Sequence, residues 1–254
     1  MTAESTRVVA LLVAGGRGAR FGGGDPKQFA PLGDRPLVAH AAAVLDAAPE
    51  VDAWIAVAPA GLEARTRDVL QAAGATRKLQ DVVAGGDTRQ QSVWNGLQAA
   101  RDAAYVVVHD AARPLVTARL VRATVAAAWR TGAATVALPV SDTLFRVETS
   151  DVVESSPAGE PVVVVTADRV GRDRLWSVQT PQAFAADVLR AAHAGARAAG
   201  MHDASDDCGL VFARGGKVAL VPGVWWNLKV TEPEDLRRAE LFLDLRTRLE
   251  HGRS

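Results

Sequence analysis

Val8-Val-Ala-Leu-Leu-Val13 runs directly into Ala14-Gly-Gly-Arg-Gly-Ala-Arg-Phe-Gly-Gly-Gly-Asp-Pro-Lys-Gln28, and the junction decides how the chain is read. The first six residues are apolar without a break, the pattern of a strand buried on both faces. The glycines that follow let backbone N–H groups close around an anion. Arg17, Arg20 and Lys27 add fixed cations. A glycine-rich loop with two kinds of cation, at the end of a buried strand, suits polyphosphate. It is neither common phosphate fingerprint. A Walker loop requires Gly-Lys-Ser/Thr, and Lys27 stands between Pro26 and Gln28. A dinucleotide loop requires a third glycine where Gly16-Arg-Gly18-Ala-Arg-Phe21 has phenylalanine.

Outward from this loop, short apolar runs alternate with alanine-rich helical stretches. Strands are expected at Val8–Val13, Ala53–Val57, Asp81–Val83, Tyr105–His109, Ala134–Leu138 and Val218–Val221. Helices are expected at Pro36–Ala48, Gly61–Ala73, Thr88–Arg101, Thr117–Arg130 and Ala185–Ala199. Strands apolar throughout and separated by helices predict an α/β fold, its parallel sheet covered on both faces. In such sheets ligands bind beyond the carboxyl ends of the strands, which places the glycine loop and His109-Asp110 on one edge. The rhythm breaks after Val140. Residues 141–174, with a Val162–Val165 run and a polar turn at Ser155–Pro161, read as a β-arm standing off the core, of the kind that pairs with another subunit. The last helix is expected to begin at Thr231-Glu-Pro-Glu234, with Thr231 as its cap and Glu234 three residues on.

The whole chain narrows the function classes. At 254 residues it reads as a single domain carrying that arm. Lys plus Arg and Asp plus Glu both number 29, so no global field gathers nucleic acid or an anionic membrane, and neither partner is expected. The single cysteine, Cys208, excludes a disulfide framework and a cysteine-based zinc site. Met1–Arg7 is short and polar, without a signal-peptide core, and no apolar run reaches bilayer length, so a cytoplasmic protein is expected.

Several residues can carry chemistry. Asp110 ends the Tyr105-Val-Val-Val-His109 run, where a carboxylate can share magnesium with substrate phosphates; the plainer alternative is a turn or capping aspartate. Arg113 three residues on favours the first. His109 has no second histidine at ligand spacing and reads as a packed or supporting residue. Gly85-Gly-Asp-Thr-Arg-Gln-Gln-Ser92 is a second glycine turn entering a helix, able to read a base with Asp87 and Ser92 or simply to cap that helix. Lys229 can meet a phosphate or lie on the surface. Asp206-Asp207 reads as the acidic first turn of a helix rather than a metal pair. No Gly-x-Ser-x-Gly elbow and no His-Glu-x-x-His occurs, and phosphoryl or nucleotidyl transfer requires neither.

Together, these segments resemble the 2-C-methyl-D-erythritol 4-phosphate cytidylyltransferase family of the non-mevalonate isoprenoid pathway. The segments are Ala14–Arg20 with Pro26-Lys-Gln-Phe29, Gly85–Val93, His109-Asp-Ala-Ala-Arg-Pro114, Asp142-Thr143, Gln179-Thr-Pro-Gln-Ala-Phe184 and Asn227–Asp235, and the match runs from about residue 8 to about 245. The resemblance implies a Rossmann-like, mostly parallel sheet of nucleotidyltransferase type. It implies transfer of the cytidylyl group of CTP to methylerythritol phosphate with Mg2+, in a homodimer joined by the arm. It also implies site residues. Ala14, Gly15, Gly16 and Gly18 would line the triphosphate, and Arg20 and Lys27 would meet transition-state charge. Gly86, Asp87, Ser92 and Ala111 would hold the nucleotide, and Asp110 the metal. Lys229 would act at the reacting centre, with Arg113, Thr143 and Thr180 toward the second substrate. One arm arginine would reach the partner's substrate, with Arg169, Arg172 and Arg174 in competition; spacing from Leu175-Trp176 favours Arg172, and the local Thr166-Ala-Asp-Arg169 pattern favours Arg169. The chain's end soon after the last helix leads to the expectation of one activity, without a fused cyclodiphosphate synthase. A ribitol- or other polyol-phosphate cytidylyltransferase is the nearest rival. A nucleotidyltransferase for another base and a nucleotide-binding regulator without turnover are more distant.

Overall fold

The computed structural model describes residues 6–16, 25–153 and 162–251. Strands β1 (Val8–Val13), β2 (Pro31–Leu32) and β3 (Arg35–Pro36) precede helix α1 (Leu37–Ala47). Then come β4 (Ala53–Ala58), α2 (Glu63–Ala72), β5 (Leu79–Ala84), α3 (Arg89–Ala99), β6 (Tyr105–Asp110), α4 (Ala118–Thr131) and β7 (Ala133–Pro139). The remainder is β8 (Leu144–Val153), β9 (Val162–Val170), β10 (Trp176–Ala185), α5 (Ala186–Ala198), α6 (Asp207–Phe212), β11 (Ala219–Pro222) and α7 (Pro233–His251). Two compact units result: residues 1–137 with 178–254, and residues 138–177.

The larger unit is built on a seven-stranded sheet in the order β11-β7-β10-β6-β1-β4-β5. β1 pairs in parallel with both β4 and β6, and β4 with β5. Alternation along β1 divides the core. Val8, Ala10 and Leu12 pack with Val38 and Leu45 of α1 and Val121 of α4. Val9 and Leu11 pack with Val93 and Leu97 of α3 and Leu189 of α5. Each such leucine or valine, taken wholly out of water, contributes roughly 1.5–3 kcal/mol. A third cluster of Leu32, Leu37, Leu115, Val230 and Ala239 seats α7.

Register aligns the functional edge. Val13 pairs with Asp110 across β1 and β6, and Ala58 with Ala84 across β4 and β5. The loops after all four strands therefore leave the sheet on one side. Thr88 starts α3 by accepting from Gln91 N at 3.1 Å, relieving one of the unpaired amides of a helix start.

The sheet is not wholly parallel: β10 runs antiparallel to β6, with Gln182 opposite Val108. Sequence pattern missed β10 because it is polar and carries Pro181, a residue that argues against a central strand. Its buried polar side chains are satisfied inside. Gln182 Nε2 donates to Thr135 Oγ1 at 3.2 Å, and its Oε1 accepts from Asp207 N at 3.2 Å. The cap of α7 also differs from expectation. Asp235, not Glu234, supplies the carboxylate, which accepts from Thr231 N at 2.9 Å, Thr231 Oγ1 at 2.6 Å and Glu232 N at 3.2 Å, so the Thr231 hydroxyl donates rather than caps.

The smaller unit contains the antiparallel pair β8 and β9, with Leu144 opposite Val170 and a register shift between Val147 and Thr149. Leu144, Phe145 and Val147 are exposed on it. At its base Val140 N donates to Leu175 O at 3.0 Å, and Arg172 Nη1 donates to Ser141 O. The polar turn expected at Ser155–Pro161 lies outside the described residues.

Candidate active site

The loop after β1 is pinned from both sides. Ala14 N donates to Val57 O at 2.8 Å, and the buried Gln28 gives its Nε2 to Ala14 O at 2.8 Å. Gln28 sits in a short 3-10 turn, Lys27–Phe29. Gly15 is a glycine for a packing reason: a Cβ there would lie 2.7 Å from Ser92 Oγ and 3.3 Å from the Gly85 Cα. The loops after β1 and β5 thus touch, and Gly15 lies in that contact, behind the cavity wall. A Cβ on Gly16 would meet nothing within 4 Å. Ser92 is buried, and its hydroxyl is committed, donating to Thr88 O at 3.0 Å and accepting from Gly86 N at 3.1 Å. It shapes the glycine turn. Ala14, Gly16, Lys27, Gly86, Asp87, Ser92 and Ala111 share the wall of one cavity of about 170 Å³. Lys27 Nζ reaches Val230 O at 2.7 Å. Gly18, Arg17 and Arg20 lie outside the described residues.

Asp110 stands at the centre. Its side chain is 8% exposed, its Oδ1 is 3.0 Å from Arg89 Nε, and its Oδ2 is 2.8 Å from Lys229 Nζ. Burial pushes its pKa up, but Arg89 and Lys229 outweigh that and hold the carboxyl well below the ordinary carboxylate range. Asp110 is therefore an anion at any physiological pH. Behind it, Thr180 Oγ1 accepts from Asp110 N at 3.1 Å and lies 3.0 Å from His109 Nδ1. His109 Nε2 is 3.1 Å from Arg113 O, which can only accept, so this nitrogen carries the proton. Nδ1 is then bare and accepts from the Thr180 hydroxyl. Burial drives the His109 pKa down to about 4, in agreement with a neutral ring. His109 is thus the supporting residue that its spacing predicts.

A second cavity of about 250 Å³ adjoins, walled by Arg113, Val178, Gln179, Thr180, Gln182, Ser205 and Asp206. Arg89, Asp110 and Lys229 belong to both cavities. Arg113 Nη1 donates to Asn227 O at 2.8 Å, and its Nε is buried without a partner. Asn227 Nδ2 in turn ties to Thr180 O at 2.9 Å and Gln179 Oε1 at 3.1 Å, joining β10 to the segment that carries Lys229. Thr143 and Arg172 belong to the smaller unit.

No group of three or more His, Cys, Asp or Glu able to hold a metal occurs among the described residues. A cage made of protein alone is not what these residues fit. They do fit a magnesium ion shared with a triphosphate, which takes one or two carboxylates from the protein. Asp110 makes one contact through each oxygen and keeps further lone pairs.

The sequence profile of the family described as 2-C-methyl-D-erythritol 4-phosphate cytidylyltransferase matches residues 8–245. The chain belongs to this family. The enzyme of that name from Syntrophotalea carbinolica is 41% identical over 240 residues, covering 93% of this chain and 96% of that protein. The bifunctional enzyme IspD/IspF of Desulforudis audaxviator is 43% identical over 235 residues, and the match spans 92% of this chain and 56% of that longer protein. The crystal structure of 2-C-methyl-D-erythritol 4-phosphate cytidylyltransferase from Thermus thermophilus superposes with a TM-score of 0.71 at 35% identity, covering 93% of this chain and 98% of that one. The mostly parallel sheet flanked by helices is the cytidylyltransferase fold. Within it, residue-level reasoning missed Gln28, Asn227 and Asp207. Gln28 and Asn227 stood only as letters of the family motifs. Asp207 read as an ordinary helix-start carboxylate, yet it is buried, 2.8 Å from Arg89 and 2.9 Å from His193. No helix among the described residues is long and apolar enough to cross a membrane.

Proposed function

We propose that this chain transfers the cytidylyl group of CTP to 2-C-methyl-D-erythritol 4-phosphate, releasing pyrophosphate, in isoprenoid precursor synthesis in the cytoplasm. The observation that supports it best is the pair of adjoining cavities with Arg89, Asp110 and Lys229 in their common wall. One cavity, framed by the loops after β1 and β5, takes the nucleotide. The other, with Arg113 at its wall, takes the phosphate of the acceptor.

The chemistry follows from the charges. The acceptor phosphate has a second pKa of about 6 and is mostly a dianion at neutral pH. One of its oxygens attacks the α-phosphorus of CTP, the new P–O bond forms, and the bond to the β-phosphate oxygen breaks with its electron pair leaving on pyrophosphate. No general base is needed. Two anions have to be brought together, and that is the work of Lys27, Arg20, Lys229 and Arg113. Ala14, Gly16, Gly86, Asp87, Ser92 and Ala111 shape the nucleotide cavity, Gly15 lets its two loops close, and the role of Gly18 toward the triphosphate rests on the family resemblance. Thr180 holds Asp110 from behind. Asp110 would hold magnesium together with the triphosphate, and the ion would neutralise phosphate charge there. The arm, a two-stranded sheet of the kind marginal by itself in water, with Leu144, Phe145 and Val147 exposed, supports a homodimer in which Arg172 serves the partner's acceptor site, with Thr143 toward the second substrate. Light scattering tests that assembly: a strict monomer overturns it.

Pyrophosphate release from CTP and magnesium, with methylerythritol 4-phosphate and ribitol 5-phosphate side by side, tests the reaction. Release with the first alone supports the assignment. Release with ribitol phosphate instead keeps the nucleotide site and moves the acceptor, and silence with both overturns the reading.

A further inference from the structure

Asp207 is a buried charge that the transfer reaction does not by itself explain. It is 1% exposed, and a carboxylate withdrawn from water costs several kcal/mol unless it is paired. Its Oδ2 accepts from Arg89 Nη1 at 2.8 Å, and its Oδ1 lies 2.9 Å from Nε2 of the fully buried His193. Arg89 gives its Nε to Asp110 Oδ1 at 3.0 Å. His193 on α5, Asp207 on α6, Arg89 on α3 and Asp110 on β6 therefore form one connected line into the candidate active site.

We infer that Asp207, steadied by His193, is a positioning residue for transfer: it fixes the Arg89 guanidinium against Asp110 and so sets where the Asp110 carboxylate stands. This rests on the cytidylyl-transfer reading of the site. The guanidinium is a planar, rigid fork, and carboxylates on two different elements hold it at Nε and Nη1. Its remaining nitrogen, Nη2, is buried with no partner. The two carboxylates, not saturation of its own donors, dictate its orientation. Charge points the same way. Without Asp207, Arg89, Lys229 and Arg113 would crowd Asp110 alone, and Arg89 would lose the counter-charge that draws it away from Lys229. Burial pushes the Asp207 pKa up, but Arg89 and His193 outweigh it and hold the group below the ordinary carboxylate range, so it is an anion at neutral pH. Asp110 is buried too, so rotation of Arg89 is not absorbed by solvent but passes to its carboxylate.

The test compares Asp207→Asn, Arg89→Lys and the double variant in the full chain, with rates normalised to folded protein. Asp207→Asn is expected to lower kcat on the order of a hundredfold, the loss that a misplacement of about 1 Å can cause, while KM for CTP stays within about twofold. Because Asp207 acts through Arg89, the double variant is expected to be no slower than Arg89→Lys within about twofold. Nuclear magnetic resonance supplies a readout without turnover. The Arg89 Nε–H, identified by its loss in Arg89→Lys, is expected to exchange slowly in the wild type and at least about tenfold faster in Asp207→Asn, as a hydrogen bond of about 1.5 kcal/mol would give. Unchanged kcat in folded Asp207→Asn, additive losses, or unchanged exchange would each overturn the inference. If Asp207→Asn does not fold, His193→Gln replaces it, with a smaller loss of kcat and faster Nε–H exchange expected; wild-type values for both overturn the inference. If the wild type releases no pyrophosphate, the functional reading falls, and Nε–H exchange alone decides the role of Asp207.

Discussion

The two cavities that meet at Asp110 are built by different means. The side proposed for the nucleotide is made of loop backbone: Gly15 against Gly85, a Ser92 hydroxyl spent on the turn, and Gln28 tying the first loop down. The side proposed for the acceptor is made of long side chains reaching between the loop after β6, β10 and the segment before α7, such as Arg113 to Asn227 and Asn227 to Thr180. Backbone approach demands particular residues at particular loop positions, so it leaves a local signature. Side chains that meet across elements leave none.

Perturbing either side should separate their roles. The largest effect is expected for Lys27→Ala. In the proposed reaction Lys27 would meet charge that grows only in the transition state, so kcat should fall on the order of a thousandfold with little change in KM for CTP. Steady-state kinetics decides, and near-normal turnover removes Lys27 from the reaction. Arg113→Ala comes next and acts on the other side. Loss of a charged hydrogen-bond donor, worth roughly 1.5–3 kcal/mol, should raise KM for the acceptor phosphate by about ten- to a hundredfold and leave CTP binding nearly intact. A matching rise in KM for CTP would show that the cavities do not divide the substrates as described.

Gly15→Ala probes the backbone-built side. The added methyl would have to displace Ser92 Oγ from 2.7 Å, and overpacking of this kind costs about 1–3 kcal/mol. CTP affinity should fall by roughly tenfold, measurable by calorimetry, while the acceptor's KM stays put. The smallest effect concerns acid. His40 lies 2.7 Å from Leu32 O, and burial, the largest influence on it, lowers its pKa below histidine's ordinary 6.5. Above 6.5 the ring is neutral folded and unfolded alike. As pH falls through 6.5 the unfolded chain takes a proton that the folded chain resists, so stability declines toward the lower folded pKa. Urea midpoints from pH 7.5 to 5 should drop, through His40 and the fully buried His109 together, and His40→Gln should lessen the drop without abolishing it. An equal slope in the variant would exclude His40 as its source.

Much of the cavity beside β1 was legible beforehand. Ala14, Gly16, Lys27, Gly86, Asp87 and Ser92 do share one wall, and Asp110 does end the strand beside it. Ser92, though, holds its own turn, and Gly15 closes two loops together. Of the adjoining cavity, Arg113 and Lys229 stood out as residues, whereas Gln179, Thr180 and Gln182 entered only through family motifs. Gln179-Thr-Pro-Gln182 does not look like a central strand, because its polar groups find their partners on Thr135, Val224 and the amide of Asp207.

By itself the sequence determined the order of strand, glycine turn and helix, since apolar runs, periodicity and glycine are properties of neighbouring residues. It thereby also determined which edge of the sheet carries the loops. Only the tertiary structure decided which charges are spent on one another. Arg89 and Asp207 are 118 residues apart in the chain and 2.8 Å apart in space, and whether a buried carboxylate is a helix cap or part of an active site depends on what folding brings to its side.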